Sequence, residues 1–138
     1  MSQLTTQSDS QATIDDDVVL LTVPADGGYL GVLRTATATL AARLQFALDE
    51  IEDLRIAVDE ACAMLLVVAT PAAELECRFA VTDDALMVEV TVPTVRGARL
   101  PAENSFAWKV LTALTTTATA EVTEGRATIR LLTRRTSH

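Results

Sequence analysis

The chain has few aromatic residues, little cysteine or histidine, and a deficit of basic charge. Phe, Trp and Tyr make up 4% of its 138 residues, so a core must be assembled from aliphatic side chains. Cys62 and Cys77 are the only cysteines, and His138, at the last position, is the only histidine. That set cannot furnish the four ligands of a structural zinc site, and it leaves no basis for a Ser-His-Asp arrangement. Against 19 acidic residues stand 11 basic ones, for a net charge of −8. This argues against nucleic acid as the main partner, because phosphate binding needs clustered Lys and Arg. It permits a basic protein partner, although an acidic surface also serves solubility. No uncharged apolar run approaches the ~20 residues that span a bilayer, and no signal peptide is visible. The expectation is a cytoplasmic chain without membrane contact and without a structural disulfide.

What is present points to one domain. Residues 1–17 are polar, carry no hydrophobic period and read as a disordered leader. Residues 18–135 hold the folded part, and Arg134, Arg135 and residues 136–138 read as a frayed end. Val18 to Val23 is a β-branched run and predicts a strand, followed by the turn residues Pro24 to Gly28. From Tyr29 to Phe46, apolar residues recur three and four apart at Leu30, Leu33, Ala36, Leu40, Ala41 and Leu44, which predicts an amphipathic helix. A second helix starts near Asp49, where acidic residues complement the macrodipole, and ends before Pro71. Its apolar face carries Cys62, and Cys77 falls in an alternating stretch, so both cysteines read as small core residues.

ELECRFAV and ALMVEVTV alternate apolar and polar residues about Thr82-Asp83-Asp84 and predict an antiparallel hairpin. Thr94 to Asn104 reads as a loop. Ser105 is the expected N-cap of a third helix, with Phe106, Val110, Ala113 and Leu114 as its buried stripe and Trp108 at an edge. TATAEVT and RATIRLLTR, joined at Glu124-Gly125, predict a second hairpin. The order β-α-α-β-β-α-β-β predicts an α+β two-layer sandwich, a mixed or antiparallel sheet covered on one face by three helices.

Three segments, in this order and spacing, carry a resemblance: PADGGYLGVLRTATATLA with Arg34, DLRIAVDEACAMLL with Glu60 and Met64, and AENSFAWKVLTALT with Ser105 and Ala107. The chain resembles the RsbW/SpoIIAB-like anti-sigma factors, serine kinases of the GHKL (histidine-kinase-like ATPase) class, and within them an actinobacterial type with degenerate ATP motifs. The resemblance implies a Bergerat-like fold, with Glu60 at the general-base position and Arg34 on the partner-binding surface. It also places Met64 where the family has an Asn that helps hold Mg²⁺. Thr94, Arg96 and Ala98 stand where Asp-x-Gly-x-Gly meets the nucleotide, and Ser105 to Ala107 replace a phosphate-binding Gly-rich turn. A thioether is a poor ligand for a hard cation, and side chains at a phosphate turn obstruct the approach of backbone amides. The catalytic equipment thus reads as vestigial, with no metal and no cofactor expected.

The resemblance therefore implies a regulator that sequesters a stress or developmental sigma factor and is released by an anti-anti-sigma partner, acting as a homodimer. Its enzymatic alternative is a serine kinase that phosphorylates the anti-anti-sigma factor with Mg-ATP and uses Glu60 as base. A small-ligand sensor built on the former ATP cavity is a third class. Blander roles stand beside these: a solvated helix position for Glu60 and Arg34, and core packing for Met64 and Trp108.

Overall fold

The computed structural model describes residues 17–136; residues 1–16, and with them nearly all of the expected leader, lie outside it. Five strands and three helices follow one another as β1 (Asp17–Pro24), α1 (Leu30–Arg43), α2 (Leu48–Val68), β2 (Glu74–Val81), β3 (Ala85–Pro93), α3 (Phe106–Leu114), β4 (Thr117–Thr123) and β5 (Arg126–Arg134). The expected element order holds throughout. The strands form a single antiparallel sheet in the order β1-β2-β3-β5-β4. The protein is an α+β two-layer sandwich, consistent with a GHKL-like fold.

Alternation in the strands decides which face is covered. Leu75, Cys77 and Phe79 on β2, Leu86, Val88, Val90 and Val92 on β3, and Ala127, Ile129 and Leu131 on β5 are buried beneath the helices. The opposite face carries charge and hydroxyl pairs instead. Arg130 donates to Glu89 at 2.7 Å, and the Thr91 and Thr128 hydroxyls lie 2.9 Å apart. Such cross-strand pairs are the usual stabilising unit of a half-exposed sheet. The core is mainly aliphatic, as the composition requires, with Phe46, Phe79 and Trp108 among it, and Phe79 is its largest fully buried side chain.

The first helix is shorter than its periodicity predicts. It begins after a 3₁₀ turn at Gly27–Tyr29, where the Asp26 carboxylate accepts from Gly28 N at 2.8 Å. It stops at Arg43 rather than at Phe46, because Gln45 takes a left-handed conformation with φ of 63°. Gln45 N then donates to Ala42 O at 2.9 Å and Phe46 N to Ala41 O at 3.1 Å, the bond pattern of a Schellman cap. Glycine usually marks that stop, and glutamine gives no such signal. Phe46 turns back into the core. The next helix opens with Glu50 Oε1 accepting from Ala47 N at 2.7 Å.

Two further expectations need correction. In α3 the buried residues are Trp108 and Leu111, whereas Phe106 is 81% exposed and Ala113 is also exposed. Lys109 and Thr112 mark one polar side of this helix, with Phe106 and Trp108 flanking it on either hand, so periodicity did not decide which of the two turns inward. The Trp108 indole settles it by reaching back to Pro101 O at 2.7 Å. The end of the chain also fails to fray where expected. Arg134 is the last residue of β5, and Arg135 Nη1 donates to Leu44 O at 2.7 Å. Thr136 donates through N and Oγ1 to Glu50 Oε2, both at 2.9 Å. Residues 137–138 lie outside the described residues.

Candidate functional site

Helix α2 positions the central residues. Glu60 and Met64 stand four residues apart, about one turn of α2, with Glu60 at the margin of the buried face and Met64 within it. Glu60 is half-buried, and Met64 is only 4% exposed and belongs to the continuous apolar core. The helix ends where strand pairing captures the chain: Ala69 bridges Thr94, Thr70 N donates to Pro93 O at 3.0 Å, and Val95 N donates to Val68 O at 3.1 Å. These bonds fix Thr94, itself buried, beside the C-terminal end of α2.

The remaining expected site residues divide between two places. Ala98 and Ala107 are partly buried methyl groups packed against the core, and Ser105 caps α3 by accepting from Trp108 N at 3.3 Å. Thr94, Arg96 and Ala98 line a cleft of about 450 Å³ that is closed on its other side by Val122 to Gly125. Neither Glu60 nor Met64 lines that cleft. Gly97, with φ of 76°, lies in the same loop with open space where a Cβ would stand. Its glycine is required by the turn, not by close approach of another group.

The chemistry of this donor set is limited. The position facing Glu60 across one helical turn offers sulfur and carbon, whereas Mg²⁺ demands oxygen ligands in a near-octahedral array. Among the described residues, no group of three or more His, Cys, Asp or Glu side chains could hold a metal ion. The cysteines are inert neighbours of this region. Burial, with a smaller contribution from the Asp59 charge, pushes the Cys62 thiol up to about 12. Burial, then Cys62 and Glu89, raises Cys77 as well. Thiols held protonated in this way are poor nucleophiles.

Arg34 lies on α1 and is part of an ion pair. Its Nη1 meets Asp59 Oδ2 of α2 at 2.8 Å, with the two side chains 40% and 37% exposed. The other carboxylate oxygen, Asp59 Oδ1, is buried without a hydrogen-bond partner. Sequence reasoning missed Asp59, since nothing local links residues this far apart along the chain. It also missed the exposure of Val67 and Phe106, at 84% and 81%. A helical wheel of α2 would have placed Val67 on the outer line with Asp49 and Asp53.

No family model matches the chain. Over 77 residues it is 39% identical to the serine-protein kinase RsbW of Bacillus subtilis (strain 168), a match covering 54% of this chain and 48% of that protein. The serine-protein kinase RsbW of Bacillus velezensis is 36% identical over 77 residues, with the same shares of 54% and 48%. That of Halalkalibacterium halodurans is 44% identical over 46 residues, covering 33% of this chain and 28% of the relative. None of the described helices is long and apolar enough to cross a membrane. The chain spans about half the length of the first of these relatives, and over that stretch it is similar to RsbW.

Proposed function

We propose that this chain is an anti-sigma-factor-like regulator that works by sequestration. It binds a stress or developmental sigma factor and gives it up to an anti-anti-sigma partner, without turning over ATP. The observation that carries this reading is the burial of Met64, 4% exposed, at the position where the resemblance calls for a Mg²⁺-ligating Asn. Thr94 in place of a carboxylate, and the methyl groups of Ala98 and Ala107 packed on the core, point the same way. Losing several buried polar contacts at about 1–3 kcal/mol each leaves no useful nucleotide affinity. Glu60 then has no positioned phosphoryl donor to act on. Sequestration needs only surface complementarity, and a net charge of −8 suits a basic segment of the partner and speeds encounter with it.

The resemblance implies a homodimer, and we extend that to this chain, with an interface above roughly 1,000 Å². Leu20, 73% exposed on the edge strand β1, is available to such a contact. The test is co-purification of the tagged chain with candidate sigma factors and anti-anti-sigma proteins. Retention of a sigma factor supports the reading, and retention of neither class removes it. One observation favours a second reading, active serine kinase: the relatives carry that name. It requires Mg-ATP binding in the micromolar to submillimolar range, and a calorimetric titration without heat would end it.

A further inference from the structure

The outward line of α2 has a polarity gradient. Asp49, Asp53, Ile56, Glu60, Ala63 and Val67 recur three and four residues apart, so they form one stripe along the helix. Asp49, Asp53 and Ala63 are exposed, Ile56 is 47% exposed and Val67 84%. Carboxylates dominate the beginning of the stripe and apolar groups its end. Among the described residues, neither Asp53 nor Glu60 has an ion-pair partner.

The neighbouring helix extends the apolar end. The end of α2 is stitched to Thr94 and Val95, while α3 delivers the chain to Thr116, whose N donates to Leu132 O near the finish of β5. That end of the sheet is also where Thr136 meets Glu50 at the start of α2. Helix α3 therefore runs antiparallel to α2, and Phe106, its first residue, lies at the Val67 end. Two large apolar side chains, each more than 80% exposed, thus share one end of the helical layer. Exposed apolar residues clustered in this way mark contact surfaces more often than single ones do.

We propose that this stripe, with Phe106, is a docking site for an amphipathic helix of a partner protein. That helix is basic along the part that faces Asp49, Asp53 and Glu60, and apolar where it meets Val67 and Phe106. Asp49 to Val67 spans about 27 Å of helix axis, which a partner helix of about 18 residues matches. Charge selects the occupant: a second copy of this chain would set carboxylates against carboxylates or, run antiparallel, against Ala63 and Val67, and would neutralise neither unpaired group, whereas a cationic helix neutralises both. The inference rests on exposure and charge, so it does not depend on the partner being a sigma factor.

The test uses the full chain, isotopically labelled, and two synthetic helical peptides of about 18 residues, one of Leu and Lys and one of Leu and Glu. The Leu/Lys peptide should bind and shift the amide resonances of Ala63, Val67 and Phe106, and the Leu/Glu peptide should not. The V67S/F106S double variant, which leaves the charge unchanged, should lose more than tenfold in affinity while keeping the thermal transition of the parent. An E60Q/D53N variant should lose affinity at low salt in the same assay. Unchanged affinity in V67S/F106S overturns the proposal, as does equal binding of both peptides. Concentration-dependent shifts at Val67 and Phe106 without peptide would assign the face to a second copy instead, and would overturn it too.

Discussion

Replacing Met64 with asparagine restores the side chain that the resemblance expects at a Mg²⁺ site, and the structure predicts that the protein will be harmed by it. Met64 is 4% exposed within the apolar core. Truncating a buried methionine costs about 2–5 kcal/mol, part of it from the cavity left behind. The new amide adds about 1–3 kcal/mol if its donors and acceptor stay unpaired. A net loss of about 4 kcal/mol is expected, a large share of the roughly 5–15 kcal/mol that holds a domain together. Met64→Leu, which conserves volume, should cost less than about 1.5 kcal/mol. Urea unfolding followed by the fluorescence of Trp108, the single tryptophan, separates the two. With a slope of about 2 kcal/mol per molar urea, the M64N midpoint should fall by about 2 M. An M64N protein within about 1 kcal/mol of the parent would refute the reasoning, because it would mean that position 64 faces a polar, open pocket.

Three other outcomes follow from the same structure. Gln45 at φ of 63° carries the left-handed cap that ends α1, so Gln45→Gly should stabilise the protein by about 0.5–1 kcal/mol in the same urea assay; a loss would contradict the cap. Burial raises the Cys62 thiol from 9.0 to about 12, so the folded state keeps a proton that the unfolded state releases. The associated stability is complete below pH 9 and drains away between about 9 and 12, with Cys77 acting in the same direction. A C62A/C77A variant should lose part of that alkaline decline, and an identical slope would dismiss the thiols as its cause. Arg34→Ala removes an ion pair whose members are 40% and 37% exposed, so stability should drop by no more than about 1 kcal/mol. Under the proposed sequestration, affinity for a sigma factor should fall at least tenfold, and an unchanged value takes Arg34 out of the proposed interface.

Local patterns made most of this fold legible. In β2 the alternation of ELECRFAV reappears as alternating exposure and burial, and Glu124-Gly125 marks the last hairpin because Gly125 needs φ of 80°. Helix α3 was legible as a helix but not in its orientation. Phe106 and Trp108 flank its polar side, Lys109 and Thr112, on either hand, and the deciding bond, Trp108 to Pro101, is made by a loop without periodicity. Arg135 and Thr136 were misjudged because what holds them is Leu44 and Glu50, far away in sequence. Near the candidate site, Ser105 as the N-cap of α3 was readable. Asp59 as the counter-ion of Arg34 was not, since only the packing of α1 on α2 brings them together.

A calorimetric titration of the chain with a candidate sigma factor, in buffer with and without Mg-ATP, tests the central claim most directly. The proposed sequestration predicts tight binding of the same affinity in both buffers, since surface complementarity needs no nucleotide. Binding that appears only with Mg-ATP, or changes strongly with it, would contradict the account.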